Sequence, residues 1–505
     1  MSYLMNHLLS FVLFTPAAVA LILFLIPSGQ LKAIRWLSLV GSILTFILSL
    51  LVWMNFSPDL TGFQMIEQTV WYSTVNASYH LGIDALSLVM VLLTTFLTPL
   101  AIWASFNLKD RLRAYMQLFL LLETGMLGVF LSLDLLLFFL FWELGLVPMY
   151  FIINQWGGQH RYEASLKFFL FTVGGSLGLL LVIQLMGVLP GIQTYNLLEL
   201  YQKWPALTQT SFMGLDISVI KTFAFWAFVI AFGVKVPVFP LHTWLPDAHT
   251  EAPTAGSMLL AGVLLKLGAY GFLRLVLPLF PTEAHQFAWA LAVLATLSVI
   301  MGALGAWGQN DFKRLVAYSS INHMGFVMLG VAVAAYAPGT QDAVIAINGT
   351  VLQMLMHGLS SAGMFFLVGV VYERAHTRDL NDFGGLMALL PKYGGILMFM
   401  SLASLGLPGL GGFIAEFLVV RGAFPVLTLA TSLCAVGLFF TGAYILKALK
   451  LVLHGPLNQR WVGQLSDMNL REVLIVTPLM FLLLLTGVYP AWILDLINKA
   501  TMTMF

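Results

Sequence analysis

What limits this chain most is a recurrence. Along nearly its whole length, apolar stretches of about twenty residues alternate with short breaks rich in Pro, Gly or charge. A stretch of that length is what a helix needs to cross the hydrocarbon core of a bilayer. In lipid every backbone polar group must be satisfied within the segment, so such stretches are helices. Composition agrees: of 505 residues 60% are hydrophobic and 9% charged, against roughly 25% charged in soluble domains. The opening MSYLMNHLLSFVLFTP has no basic n-region and no small-residue cleavage site, so it reads as the first span and not as a removable signal.

Fourteen such spans are predicted, from Leu8–Pro27 to Glu472–Leu496, with the weakest division at Ser132–Asp134 between spans four and five. Lys and Arg test the count. If the connection after span one is called odd and the next even, fifteen of the 23 cations fall in odd connections. Five fall in even connections or the termini, and Lys235, Lys266 and Lys447 lie inside helices. The positive-inside rule then places odd connections in the cytoplasm and both termini outside. A net charge of +1 gives no electrostatic basis for nucleic-acid binding. A single cysteine, Cys434, and no CxxC exclude thiolate-held clusters. No glycine-rich phosphate loop joins a strand pattern to a helix pattern.

Charges within spans are the functional candidates, because each costs at least ~2.5–3.5 kcal/mol at the bilayer centre. They are Glu123, Glu143, Lys235, Lys266, His323, His357, Glu416 and Lys447, on spans four, five, seven, eight, ten, eleven, twelve and thirteen. Acids and bases are similar in number, so pairing can offset the cost. Span seven, Ile217–Pro240, carries Pro237 two residues after Lys235, and span twelve, Gly394–Val420, carries Pro408, Gly409, Gly411 and Gly412 just before Glu416. Helices broken in this way mark transport sites, since freed backbone groups are tolerated only along a polar cavity.

The same residues recur at a fixed distance. Glu143 and His323 are 180 positions apart, Lys235 and Glu416 are 181 apart, and Lys266 and Lys447 are 181 apart. Five spans separate equivalents, an odd number, so the second copy is expected to be inverted. The organisation expected is a three-helix segment at 1–113, a first half at 114–275 (spans four to eight), an inverted second half at 276–455 (spans nine to thirteen), and a C-terminal loop and helix at 456–505.

Plainer readings compete. Glu123 could be a structural acid bonded to a neighbouring helix, Lys447 could snorkel to the cytoplasmic end, and His323 and His357 could simply bond hydroxyls across helices. His242, Asp247, His249 and Glu251 are placed in an extracellular-side loop and lack metal-site spacing, so no metal is expected.

FFLFWELGLVPMYF around Glu143, KVPVFPLHTWLPDAHTEAPTAGSMLLAGVLLKLGAYG through Lys235 and Lys266, and DFKRLVAYSSINHMGFV through His323 resemble the antiporter-like membrane subunits of respiratory complex I. Among these the chain is most similar to the M type, chain 4, of proton-translocating NADH–quinone oxidoreductase; an acid at Glu416 is typical of that type, where L and N siblings usually carry lysine. The resemblance implies an all-α integral membrane fold of fourteen transmembrane helices, with two inverted five-helix repeats and broken helices seven and twelve. It implies that Glu143 and Lys235 form a switchable ion pair, that Lys266 bridges the halves, that His323 and His357 continue a relay, and that Glu416 holds the last proton. It also implies no cofactor in this chain. NADH, FMN, iron–sulfur clusters and quinone belong to partner subunits, L-type and N-type neighbours flank the chain, and the location is a bacterial inner membrane. Two other readings stay open: a subunit of a multisubunit sodium/proton antiporter or of a ferredoxin- or hydrogenase-linked relative, and a membrane scaffold with a dead relay.

Overall fold

Lipid leaves the backbone no alternative to helix, and the apolar stretches are helical in the computed structural model, which describes residues 6–208, 211–212 and 214–502. Residues 1–5 and 503–505, at the ends of the first and last expected segments, lie outside that description. Thirteen helices are long and apolar enough to cross a membrane. They are α1 (Leu8–Leu25), α2 (Leu31–Asn55), α3 (Ala85–Asn107), α4 (Leu112–Leu131), α5 (Leu135–Trp156), α6 (Arg161–Val188), α7a (Ile217–Lys235), α8 (Thr254–Leu279), α9 (Ala288–Trp307), α10 (Phe312–Tyr336), α11 (Gln341–Ala375), α13 (Thr428–Val452) and α14 (Leu470–Val488). The expected twelfth span is two helices, α12a (Pro391–Leu405) and α12b (Gly411–Val426), each too short to cross alone. Beyond the expected end of span seven at Pro240 stands a separate short helix, α7b (Trp244–Glu251).

Asp side chains set several helix starts. Asp84, Asp134, Asp216 and Asp311 accept from first-turn amides of α3, α5, α7a and α10. Each satisfies an amide that lacks an intrahelical partner and complements the positive end of the helix. The narrow joint at Ser132–Asp134 is therefore a true division, bridged to Leu81 and Asn196.

Three features depart from the expected fold. An antiparallel hairpin, β1 (Gln64–Tyr72) and β2 (Ala77–Ile83), stands in the second connection, where water again permits a strand. The last predicted span stops at Val488, because Tyr489-Pro490 ends α14 and a separate helix, α15 (Ala491–Met502), follows. Within α8, π-helical stretches at Leu260–Leu264 and Phe272–Val276 flank Lys266.

Polar contacts confirm the alternation of sides. Among the described residues, every ion pair but that of His323 and Glu416 joins groups within one set of connections. In the odd set, Arg374 pairs with Glu472 at 2.7 Å and Arg378 with Asp311 at 3.1 Å. In the even set, Arg274 pairs with Asp84 and Lys499 with Asp59, each at 2.6 Å. The same test corrects one expectation. Asp247 pairs with Lys167 at 2.6 Å and Arg314 at 3.2 Å, so the segment bearing His242, Asp247, His249 and Glu251 lies with the odd connections, and much of it is α7b instead of a loop. Span seven crosses once, so the connection after it belongs to the odd side.

The core is built around α8 and α11, whose apolar windows are wholly buried, while α6, α13 and α14 turn most of theirs outwards. Gly349 of α11 lies so close to α12b that a Cβ there would meet Val419 N at 2.5 Å. Close approach of this kind seats the broken helix against the longest helix of the fold.

Candidate functional site

Two sets of buried polar contacts, one at Lys266 and His357 and one at His323 and Glu416, stand side by side inside the structure. The first begins at Lys266, which is fully buried. The first π stretch of α8 widens the turn, and Lys266 Nζ donates to the Ala261 carbonyl at 2.5 Å, five residues back. Bulges of this type often occur at functional positions. The same Nζ lies 2.7 Å from Nδ1 of His357 on α11. With Nδ1 accepting, the His357 proton sits on Nε2, which lies 3.1 Å from Ser320 Oγ on α10. The His357 and His323 ring centres are 5.6 Å apart. His323 Nδ1 stands 2.6 Å from Glu416 Oε1 on α12b, and Gln353 Nε2 donates to the same oxygen at 2.8 Å. Thus α8, α11, α10 and α12b each supply a link, and the six charged or polar side chains are all at most 6% exposed. Lysine, histidine and carboxylate in mutual contact at this burial can pass protons, because each both takes up and releases one.

The arrangement at the first break differs from expectation. Lys235 is the last residue of α7a, where the turn at Val236–Thr243 containing Pro237 follows. Its ammonium lies 4.9 Å from the ring centre of Trp142. No ion pair within 4.0 Å joins it to Glu143, so the expected contact is not made. The reason for the separation is local. Trp142 and Glu143 are consecutive on α5 and point about 100° apart, so one ammonium cannot face both. The indole Nε1 donates to Ser176 Oγ at 2.9 Å, which holds its face towards Lys235.

Two further candidates lie off the chain. Glu123 is fully buried, and neither carboxylate oxygen has a hydrogen-bond partner among the described residues. Lys447 donates to the carbonyls of Trp307 at 2.7 Å and Gln309 at 2.9 Å, capping the end of α9 on the odd side. That is the snorkelling arrangement. At the second break, Pro408 and Gly409 lie in the turn between α12a and α12b, where Gly406 and Gly409 adopt φ of +81° and +93°. Glycine enters that region freely.

Sequence reasoning missed several participants. Trp142, Ser176, Ser320 and Gln353 look like ordinary apolar-span residues, and nothing in hydropathy singles them out. His249 on α7b stacks on Phe365, ring centres 4.3 Å apart, and Lys313 and Lys266 are the charges acting on it. Lys313 was counted as a connection charge, yet it is 6% exposed and donates to the Ala252 carbonyl at the end of α7b. Its signal was its place beside an apolar run. Among the described residues, no three His, Cys, Asp or Glu side chains converge as metal ligands.

The family described as "NADH:quinone oxidoreductase/Mrp antiporter, TM" matches residues 132–441, and "NADH-ubiquinone oxidoreductase chain 4, amino terminus" matches residues 17–133. NADH-quinone oxidoreductase subunit M of Rhodobacter capsulatus is 40% identical over 502 residues, covering 98% of this chain and 96% of that protein. Among solved structures, a chain of respiratory complex I from Thermus thermophilus superposes with TM-score 0.84 and 28% identity, covering 98% of this chain and 99% of that one. A chain of the Mrp complex from Dietzia sp. DQ12-45-1b gives TM-score 0.83 at 19% identity, over 99% and 97%; that likeness shows the fold alone.

Proposed function

This chain belongs to the NADH:quinone oxidoreductase/Mrp antiporter family of transmembrane subunits, and from that premise we propose that it is the M-type proton-pumping subunit in the membrane arm of an NADH–quinone oxidoreductase. NADH, FMN, iron–sulfur clusters and quinone are held by partner subunits, and L-type and N-type siblings flank it. We count α12a and α12b together as a fourteenth crossing, which puts the odd connections in the cytoplasm of a bacterial inner membrane and both termini on the periplasmic side. The halves at 114–275 and 276–455 then act as inverted repeats.

The observation that carries the reading is the buried line of Lys266, His357, His323 and Glu416, in direct polar contact at its two ends and with the two imidazoles neighbouring each other between them. Protons move along it by short transfers, with Ser320 and Gln353 orienting the histidine and the acid. At the other end, Lys235 alternates between the face of Trp142, where it stands, and the neighbouring Glu143 carboxylate. Cation–π attraction is worth ~0.5–2 kcal/mol, and an ion pair at ~4 Å about 4 kcal/mol at an effective dielectric near 20. On these figures the paired position is favoured by about 2–3.5 kcal/mol, so holding the ammonium at the indole takes work from outside the pair. A buried ammonium that leaves its carboxylate gives up its proton more readily. Moving one charge against ~200 mV takes about 4.6 kcal/mol, which is of the size that closing and opening the pair can supply. Quinone reduction elsewhere in the complex drives this exchange electrostatically.

The test is Lys235→Met or Glu143→Gln in the intact complex, reconstituted in liposomes and followed with a pH-gradient dye during NADH oxidation. Proton pumping is expected to fall at least tenfold while subunit composition stays complete. Full pumping by an assembled Glu143→Gln complex would refute the switch.

A further inference from the structure

Two helical turns beyond Lys266, α8 carries a second buried charge that the transfer chain does not use. Arg274 is 5% exposed. Its Nη2 lies 2.6 Å from Asp84 Oδ1 and 3.3 Å from Ser87 Oγ, and its Nε donates to Tyr270 Oη at 3.1 Å. Tyr270 Oη lies 2.9 Å from Ser87 Oγ and donates to the Phe130 carbonyl at 3.1 Å. Lys266, Tyr270 and Arg274 follow one another at four-residue intervals, and Lys266 and Arg274 are about 12 Å apart along the axis at 1.5 Å per residue.

On the far side of this cluster lies a cavity of about 730 Å³, bounded by Asp84, Arg274, Tyr201, Phe63, Pro278 and Pro338. All of these belong to the even connections or the even ends of helices. The Arg274–Asp84 pair is thus the floor of an even-side vestibule. Beyond the floor, Tyr270 is 1% exposed and Lys266 not exposed at all.

We infer that Arg274, held by Asp84 and Tyr270, is the closed even-side seal of the first half, standing between Lys266 and the vestibule. The chemistry is specific. A guanidinium offers five donors and no acceptor, and stays charged at any physiological pH. It therefore cannot receive a proton from Tyr270 or Ser87, and a hydrogen-bonded line that reaches it stops there. A fixed arginine at a constriction also repels an approaching cation, a device known from selective pores. A mere staple between α8 and α3 would not need its donors aimed at two buried hydroxyls, one of them that of Tyr270, a single turn from Lys266 on the same helix.

The inference rests on Lys266 being a proton-transfer group, as proposed above. It is tested without turnover: the intact complex is placed in liposomes containing a pH-sensitive dye, and proton entry is driven by a potassium diffusion potential with valinomycin. Arg274→Gln is expected to raise passive proton entry about tenfold, and Lys266→Met in the same background to remove the increase. Arg274→Lys should stay tight near neutral pH and leak progressively as pH rises, since lysine, unlike arginine, can lose its charge among Asp84, Tyr201 and Tyr270. An assembled Arg274→Gln complex as tight as the parent overturns the seal. If that variant does not assemble, a pH-independent leak in Arg274→Lys overturns it equally. Normal pumping by Lys266→Met would instead overturn the transfer reading.

Discussion

At the break in α7 a lysine stands against an indole with no carboxylate in contact, whereas at the break in α12 a glutamate lies under two donors. The positions are 181 residues apart and their charges opposite. Only the second is engaged. The difference teaches that two breaks in one fold can rest in opposite pairing states, so the chain is polarised along its length. Pairing is close at Lys266–His357 and at His323–Glu416, and loose at Lys235.

The largest expected effect comes from opening the engaged end. Glu416→Ala leaves His323 and Gln353 facing an empty, buried site, and an unmade buried partner costs about 1–3 kcal/mol, more for a charged group. Pumping per NADH oxidised by the reconstituted complex should fall below a tenth, making the second break resemble the first. Glu416→Gln keeps the shape and the Gln353 side of the network but cannot hold a transferable proton, and should fall as far. If Gln pumps normally, the glutamate is only a hydrogen-bonding part.

Next in size is His323→Ala, which cuts the contact at 2.6 Å and the step to His357 together. About a tenfold loss of pumping is expected, on the order of 1.4 kcal/mol in the transfer barrier. Combined with Glu416→Gln, the losses should not add, because residues acting as one unit give strongly non-additive effects. Additive losses would show that the two side chains serve separate steps.

How much of this was legible follows from what lipid enforces. The spans were readable because a bilayer demands length and apolarity, and the breaks were readable because Pro237, Pro408 and Gly409 cannot be hidden in a hydrophobic helix. Lys235, Lys266, His323, His357 and Glu416 stood out for the same reason: buried charge is costly. The pairing was not legible. Whether Lys235 meets Glu143 or Trp142 depends on a rotation of about 100° between adjacent residues, which leaves no trace in composition. The π stretches around Lys266 likewise have no hydropathic signature. The end of α14 did have one, in Tyr489-Pro490, masked by the apolar residues that follow.

A smaller effect sharpens the loose end. Trp142→Leu removes the face that holds the Lys235 ammonium while keeping an apolar side chain, and a cation–π contact of this kind is worth about 1 kcal/mol. Lys235 should then favour Glu143, and pumping should drop about three- to fivefold through a pair that opens too seldom. Lys235→Met on top of Trp142→Leu should give the phenotype of Lys235→Met alone. An unchanged rate in Trp142→Leu would mean the indole merely fills space, and the two breaks would differ by accident of side-chain position.

The smallest expected change tests whether the indole must be aimed. Ser176 does not reach Lys235; its hydroxyl accepts from Trp142 Nε1 at 2.9 Å and donates to the Thr172 carbonyl of its own helix at 2.8 Å. Ser176→Ala removes these two neutral hydrogen bonds, about 1 kcal/mol each, only one of which aims the indole, and leaves the ring area in place. Pumping is expected to change about twofold, and in the Trp142→Leu background not at all, since no indole remains to orient. A twofold change that persists without Trp142 would show that Ser176 acts on Glu143 directly, whereas its loss there makes the serine the element that keeps the first break open while the second is closed.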